Sequence, residues 1–245
     1  MTKTIILIPS RLEASRLPNK PLLKINNKSL ICHVYEKGVS TNIGQVYVAT
    51  GDKAIFDEVI NNNGKCILTK KEHSTGTDRI FEAFEQLKLS DIDYIINLQG
   101  DEPMIGTNDI INLNNLAIEN NFEIATLACK LQSKDIKNNN VVKVICAENI
   151  EANKFSSAKN FLRSTNHENS ENVYHHIGIY IYKASILKKF INLNQSSNEI
   201  RLKLEQLRAL DNKIKIDVVF AKSAPIGVDT DQDYLEIKKV MEYKS

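Results

Sequence analysis

The first 130 residues alternate between short apolar runs and segments of helical spacing, and that alternation leaves few folds open. Thr4–Pro9 and Asp93–Leu98 read as strands buried on both faces, with Gln45–Ala49, Lys65–Thr69 and Glu123–Cys129 as further strands. Between them, Ser29–Ser40, Lys53–Asn62, Thr77–Lys88 and Asn108–Asn120 have helical spacing. In the third of these, Ile80, Phe81, Phe84 and Leu87 share one face. Strand and helix in strict turn predict an α/β fold with a mostly parallel central sheet and helices on both faces. Such sheets bind ligands beyond the carboxyl ends of their strands. After residue 130 the order loosens. Val141–Ala147, Ala152–Phe155, His176–Tyr182 and Ile214–Phe220 read as strands, Ile200–Leu210 and Asp231–Tyr243 as helices, and the polar stretch 157–173 as a mobile loop.

The 245 residues carry a net charge of only +2, which provides no basic field for nucleic acid or a membrane surface. The apolar run at the start, Ile5–Ile8, is far shorter than a signal peptide or a membrane span, so a cytoplasmic protein is expected. Cys32, Cys66, Cys129 and Cys146 are scattered, with no CxxC pair, and read as reduced thiols.

Lysine is the default cation of this chain, and there are only six arginines. Yet Arg11 and Arg16 share the proline-bounded loop "IPSRLEASRLPNKPL" (8–22) with Lys20, directly after the first strand. Planar guanidinium groups suit bidentate contact with phosphate or carboxylate. A cation-bearing loop leaving a strand is a phosphate-binding arrangement. The loop lacks GxGxxG, which argues against a dinucleotide-dependent oxidoreductase, and it lacks the GxxxxGK[ST] of a Walker loop. With no glycine in it, cationic side chains must do what backbone N–H groups do elsewhere.

Further chemistry lies at other strand ends. In "QGDEP" (99–103) Asp101 and Glu102 are adjacent and point different ways, and Asp101 is the better candidate metal ligand. In "HSTGTDR" (73–79) Gly76 permits close backbone approach at a helix start, where Ser74 or Thr75 could also act as a cap, and Asp78 and Arg79 could be a local structural pair. In "HHIGIY" (175–180) strand alternation places His175 and His176 on opposite faces, so His176, Gly178 and Tyr180 share one. In "LEQLRAL" (204–210) the leucines read as helix core, leaving Glu205 and Gln206 to reach a ligand and Arg208 for a salt bridge.

These five stretches, in this order and followed by "GVDTDQD" (227–233), resemble the sugar-acid cytidylyltransferases, and among them the members acting on 3-deoxy-manno-octulosonate (Kdo). The resemblance covers almost the whole chain. It implies a Rossmann-like nucleotidyltransferase fold with a smaller dimerisation lobe: a nucleotide-binding core of about 1–130 and 211–245, and a sugar-binding and dimerisation lobe of about 131–210. It implies CTP and a sugar acid as substrates, a homodimer, and Mg²⁺ held by Asp101 and Asp229. Pro9, Ser10, Arg11, Arg16 and Lys20 would take the triphosphate, while Thr75, Gly76 and Gln99 would line the cytosine pocket. Gln99, His176, Tyr180, Glu205 and Gln206 would face the sugar. The implied reaction is transfer of CMP from CTP to the anomeric hydroxyl of a 3-deoxy-2-ulosonic acid, releasing pyrophosphate and making the activated sugar for lipopolysaccharide synthesis. One departure stands out. Ser157 occupies the place of a family arginine in "FSSAKNFLR" (155–163), and the family's proline is missing. Lys159 or Arg163 would have to supply the charge; otherwise a related acid, such as an amino-Kdo or a sialic-type acid, is the alternative substrate. A non-catalytic nucleotide sensor is the remaining alternative, and the paired aspartates speak against it.

Overall fold

The computed structural model describes residues 2–13, 16–164 and 172–243. They fall into two compact units, one of residues 1–110 and 225–245, the other of residues 111–224.

The first unit opens with β1 (Thr4–Ser10), buried along its whole length. A tiny hairpin follows, β2 (Lys24–Ile25) and β3 (Lys28–Ser29), and then α1 (Leu30–Ser40), β4 (Val46–Thr50), α2 (Lys53–Asn61), β5 (Cys66–Leu68), α3 (Gly76–Leu87) and β6 (Tyr94–Asn97). The strands run β5–β4–β1–β6, all parallel, with Ile6 beside both Val46 and Ile96. No residue of β1 or β6 faces water, because helices packed on such a sheet need apolar side chains on both of its faces. Helix α4 (Thr107–Glu119) carries the boundary between the units.

The second unit holds β7 (Ile124–Lys130), β8 (Lys143–Cys146), β9 (Phe155–Leu162), β10 (Val173–Lys183), α5 (Ala184–Ile191), α6 (Ser197–Leu202), α7 (Leu207–Asp211) and β11 (Ile216–Phe220). Its strands run β10–β7–β11–β9–β8, and β8 also pairs with β10. Only β7 and β11 are parallel here. The expectation of a mostly parallel sheet therefore holds for the first unit and fails for the second, where β10 pairs antiparallel with β7 and β8, and β9 with β8 and β11. The chain then re-enters the first unit with α8 (Asp231–Glu242).

Two local readings are corrected. Residues 157–162, expected in a loop, lie in β9, and the strand expected at Ala152–Phe155 begins only at Phe155. Ser156, Ala158 and Phe161 are buried while Lys159 and Asn160 face water, a one-sided pattern weakened by small polar residues. The remainder of that expected loop, 165–171, lies outside the described residues. The helix expected over Ile200–Leu210 is two helices, broken at Lys203, which adopts the left-handed conformation (φ 53°). All four cysteines are free thiols; Cys32, Cys129 and Cys146 are buried and Cys66 partly so. No helix among the described residues is long and apolar enough to cross a membrane.

Candidate active site

The cationic loop leaves β1 with Pro9 and Ser10 at the strand's carboxyl end. Ser10 Oγ is buried and has no hydrogen-bond partner among the described residues. The loop is anchored at both ends. The Leu12 N–H donates to Asp52 Oδ2 (2.8 Å), and Leu17 is buried with Ile25, Leu30, Val228 and Ile237. Asn19, left-handed at φ 57°, then turns the chain into the short 3-10 segment Lys20–Leu22, whose Pro21 is buried. Leu17 and Pro21 hold the backbone, so the polar ends of Arg11, Arg16 and Lys20 are left for the cavity.

The acidic side comes from two distant stretches. Past β6 the chain passes Gln99 and Gly100 to Asp101. A Cβ on Gly100 would lie 2.9 Å from the Pro9 carbonyl oxygen, so this close crossing requires glycine. Asp229 arrives more than a hundred residues later because buried Val228 donates its N–H to the Asp101 carbonyl (3.0 Å). The turn is fixed from the other side by Thr230, which caps α8 in a reciprocal box with Asp233.

Cations and carboxylates meet directly. Lys20 Nζ donates to Asp101 Oδ2 at 2.7 Å and to Asp229 Oδ1 at 3.2 Å, and an Arg16 guanidinium nitrogen lies 3.1 Å from Asp229 Oδ2. Burial pulls the Lys20 ammonium down, but its two aspartates outweigh that and its pKa is raised. Glu102 lies in the field of this cluster without joining its ion pairs. Its Oε2 is buried without a partner among the described residues, and burial, with Asp101 and Asp229 adding to it, pushes the carboxyl up to about 8. Asp101 and Asp229 converge on one ammonium and so are close enough to share one cation. Two hard carboxylate donors, with water and phosphate completing the shell, suit Mg²⁺. Among the described residues no group of three or more His, Cys, Asp or Glu side chains is arranged to hold a metal by itself.

Thr75 is the N-cap of α3 in a reciprocal box with Asp78, and a Cβ on Gly76 would come within 3.1 Å of the Pro9 ring. Asp78 and Arg79 are thus both structural but not partners. Arg79 is buried and spends its guanidinium on Thr69 Oγ1 and the carbonyls of Lys70 and Lys71. A cavity of about 360 Å³ is walled by Pro9, Ser10, Arg11, Arg16, Lys20, Thr75, Gly76, Gln99, Asp101 and Asp229, together with Arg79, which the sequence offered only a structural role, and with residues given no site role there, among them Glu13, His73 and Gly100. His73 opens the very motif that drew attention to Thr75. Its ring is oriented by Glu82 (2.6 Å), a partner invisible from local spacing.

Of the residues expected at the sugar, Gln99 lies in the first unit and lines the cavity there, whereas His176, Tyr180, Glu205 and Gln206 belong to the second. His176 and Tyr180 are buried with ring centroids 5.5 Å apart. A register shift in β10 between Ile177 and Tyr180 replaces the simple alternation expected for this strand. The Thr126 hydroxyl lies 2.9 Å from His176 Nε2 and also reaches the Ile177 and Ile179 carbonyls, at 3.1 and 2.7 Å. Carbonyls only accept, so the single hydroxyl proton goes to them and Nε2 carries the imidazole proton. Burial, with His175 adding to it, pushes His176 down to about 3, and it is neutral. Burial first, then Tyr182 and Glu205, holds the Tyr180 phenol well above its ordinary value, which places Glu205 in the same neighbourhood. Gln206 is the N-cap residue of α7. Arg163 cannot stand in for the missing arginine, because its guanidinium donates to the carbonyls of Leu202, Lys203 and Asn139. Lys159 is exposed and remains available for that charge.

Residues 5–216 match the family model described as cytidylyltransferase. The chain belongs to the cytidylyltransferase family. It is similar to the 3-deoxy-manno-octulosonate cytidylyltransferase of Brucella canis (41% identity over 234 residues, 94% of this chain and 92% of the relative). The same-named protein of Brucella anthropi is 39% identical over 233 residues, covering 94% and 93%. Among solved structures, a CMP:2-keto-3-deoxy-manno-octonic acid synthetase complexed with CTP matches all of both chains at TM-score 0.90 and 33% identity. A UDP-glucose pyrophosphorylase complexed with UDP-glucose matches at TM-score 0.74 and 16% identity, a likeness of fold alone. The cytidylyltransferase assignment thus agrees with a nucleotidyltransferase fold.

Proposed function

We propose that this cytidylyltransferase moves CMP from CTP to the anomeric hydroxyl of Kdo, releases pyrophosphate, and supplies the activated sugar for lipopolysaccharide synthesis in the cytoplasm as a homodimer. The observation that carries the reading is one cavity in which Arg11, Arg16 and Lys20 face Asp101 and Asp229 at the carboxyl ends of parallel strands. The anomeric oxygen attacks the α-phosphorus, and the bond to the pyrophosphate oxygen breaks in line with it. The protein's work is alignment and charge neutralisation. Arg11 and Arg16 receive the negative charge that develops on the departing pyrophosphate. Ser10 Oγ, buried and unpartnered, is a ready donor to a phosphate oxygen. Thr75, Gly76 and Gln99 bound the base. His176, Tyr180, Glu205 and Gln206 orient the sugar acid, with neutral His176 presenting Nδ1 as an acceptor. Asp101 and Asp229 would hold Mg²⁺. When bound, that ion neutralises phosphate charge as a Lewis acid and lowers the pKa of a nearby hydroxyl. No side chain is assigned as general base.

A second reading, a related sugar acid as acceptor, is favoured by Ser157 and by the commitment of Arg163 to backbone carbonyls. Pyrophosphate release, measured with CTP, UTP and ATP against Kdo, 8-amino-Kdo and a sialic acid, separates the readings. Release only with CTP and Kdo together is the expected result. Release with another acid moves the substrate, and no release with any pair overturns the enzymatic reading.

A further inference from the structure

Lys20 sits where the proposed reaction needs something else. Its ammonium bridges Asp101 Oδ2 and Asp229 Oδ1, and Arg16 takes the other oxygen of Asp229. These are the oxygens that a divalent cation would use. The Lys20 side chain is 13% exposed while Asp101 and Asp229 are 35% and 51% exposed, so the ammonium is enclosed and the carboxylates it bridges stay open to the cavity mouth. With the bridge closed, a divalent cation approaching the aspartates meets a like charge within a few ångströms. With it open, Asp101 and Asp229 face each other with no ammonium between them.

We propose that Lys20 is an internal counter-ion: in the free protein it occupies the aspartate pair and blocks divalent cations, and the nucleotide's triphosphate draws it off, so the metal site assembles only with substrate. The inference rests on the reading of Asp101 and Asp229 as metal ligands. Backbone anchorage and side-chain reach make the exchange feasible. Pro21 and Leu17 fix the Lys20 backbone, while its four-carbon stem lets Nζ swing without moving the chain. The ammonium cannot leave two carboxylates for nothing, since an enclosed charge without a partner is strongly disfavoured. A triphosphate offers several anionic oxygens in the same cavity, which Lys20 and Arg16 both line. The carboxylates are then released as their old partner gains a new one. The device would keep an unused site from collecting free metal, and would favour entry of metal together with nucleotide.

The alternative is a salt bridge that merely ties the loop down. It predicts a loss of stability in a Lys20 variant and no change in metal affinity. The test uses Mn²⁺ as the probe and water-proton relaxation enhancement as the readout, on full-length wild type, Lys20→Met, Lys20→Gln and the double variant Lys20→Met/Asp101→Asn. Circular dichroism checks that each is folded, and the two Lys20 variants guard against one of them failing to fold. Wild type should enhance relaxation only once CTP is added. Lys20→Met and Lys20→Gln should bind Mn²⁺ without nucleotide, tighter than wild type by roughly tenfold or more, the weight of one charge-assisted hydrogen bond. The double variant should lose that binding. Wild-type binding of Mn²⁺ without CTP as tight as that of the Lys20 variants overturns the counter-ion and leaves the ligand pair standing. Mn²⁺ binding that survives in the double variant overturns the ligand assignment itself, and the counter-ion with it.

Discussion

At Asp101 and Lys20, position in the cavity decides what each residue can do. Asp101, the proposed metal ligand, carries its carboxylate on a turn whose backbone is held independently, by the glycine crossing at Pro9 and by the Val228 N–H. Asp101→Asn keeps the shape and the hydrogen-bonding capacity but removes the charge. It should abolish Mg²⁺-dependent turnover while circular dichroism stays unchanged, and a variant that still responds fully to Mg²⁺ would refute the assignment. Lys20→Ala removes a preorganised cation and should lower turnover by about 10²–10³-fold in steady-state assays; a loss under about fivefold would end its catalytic role. Lys20 drew attention only because it shares its loop with Arg11 and Arg16 in a chain of six arginines, and Asp101 gained its weight from the family resemblance, since acids in loops are common. Asp229 was legible only through resemblance, since nothing in local spacing says that Val228 will reach back to Asp101.

Between α6 and α7, four residues, Lys203–Gln206, carry two of the proposed sugar contacts, and the elements around them are clamped from two directions. Arg208 and Glu199 form a buried two-point ion pair across the break, with contacts of 2.9 and 2.5 Å, and Arg208 stacks 4.8 Å over the Phe190 ring. Arg163 takes the Leu202 and Lys203 carbonyls, and its own carbonyl is held by the fully buried Lys143. Glu199→Gln leaves the Arg208 charge buried with a weaker partner and should cost about 3–5 kcal/mol, read by urea unfolding. Arg163→Met should raise the KM for the sugar acid while leaving the KM for CTP unchanged, because it frees the turn under Glu205 and Gln206; parallel changes in both constants would show that it acts on folding alone. This clamp also explains a misreading. "IRLKLEQLRAL" has unbroken helical spacing, and helix propensity alone continues through Lys203. The break comes from the Glu199–Arg208 pair and the Arg163 carbonyl contacts, long-range terms that no window of sequence contains. Strands β1 and β6 were legible for the opposite reason: burial on both faces writes itself as an unbroken apolar run. In β9 one-sided burial with small polar residues produces no such run, and its sequence reads as a loop from residue 157 onward.

The stability of the whole molecule should register the neutral histidine of the second unit. His176 is buried, with its pKa pushed down from an ordinary 6.5 to about 3. Between those values the unfolded chain binds a proton that the folded chain refuses, so unfolding gains protons and stability falls as the solution is acidified. The contribution is whole above pH 6.5 and declines progressively toward pH 3. Carboxylates held low by partners, Glu82 and Glu199, add losses of the same sign only below their ordinary 4.5. Glu102, pushed up to about 8, and Asp217, raised by burial, pull the opposite way, because folding holds their protons and stability drops as pH rises through their range. The wild-type curve is therefore a sum of opposing slopes, and the informative quantity is a difference. His176→Gln keeps a donor for Thr126 and cannot titrate. Urea unfolding from pH 7.5 to 4.5 should show wild type losing on the order of 1–3 kcal/mol more than the variant, nearly all of it below pH 6.5. Equal losses in the two proteins would mean that His176 takes up its proton in the folded state. In that case it would be a charged donor toward the sugar acid, and the acceptor role given to Nδ1 would fall with it.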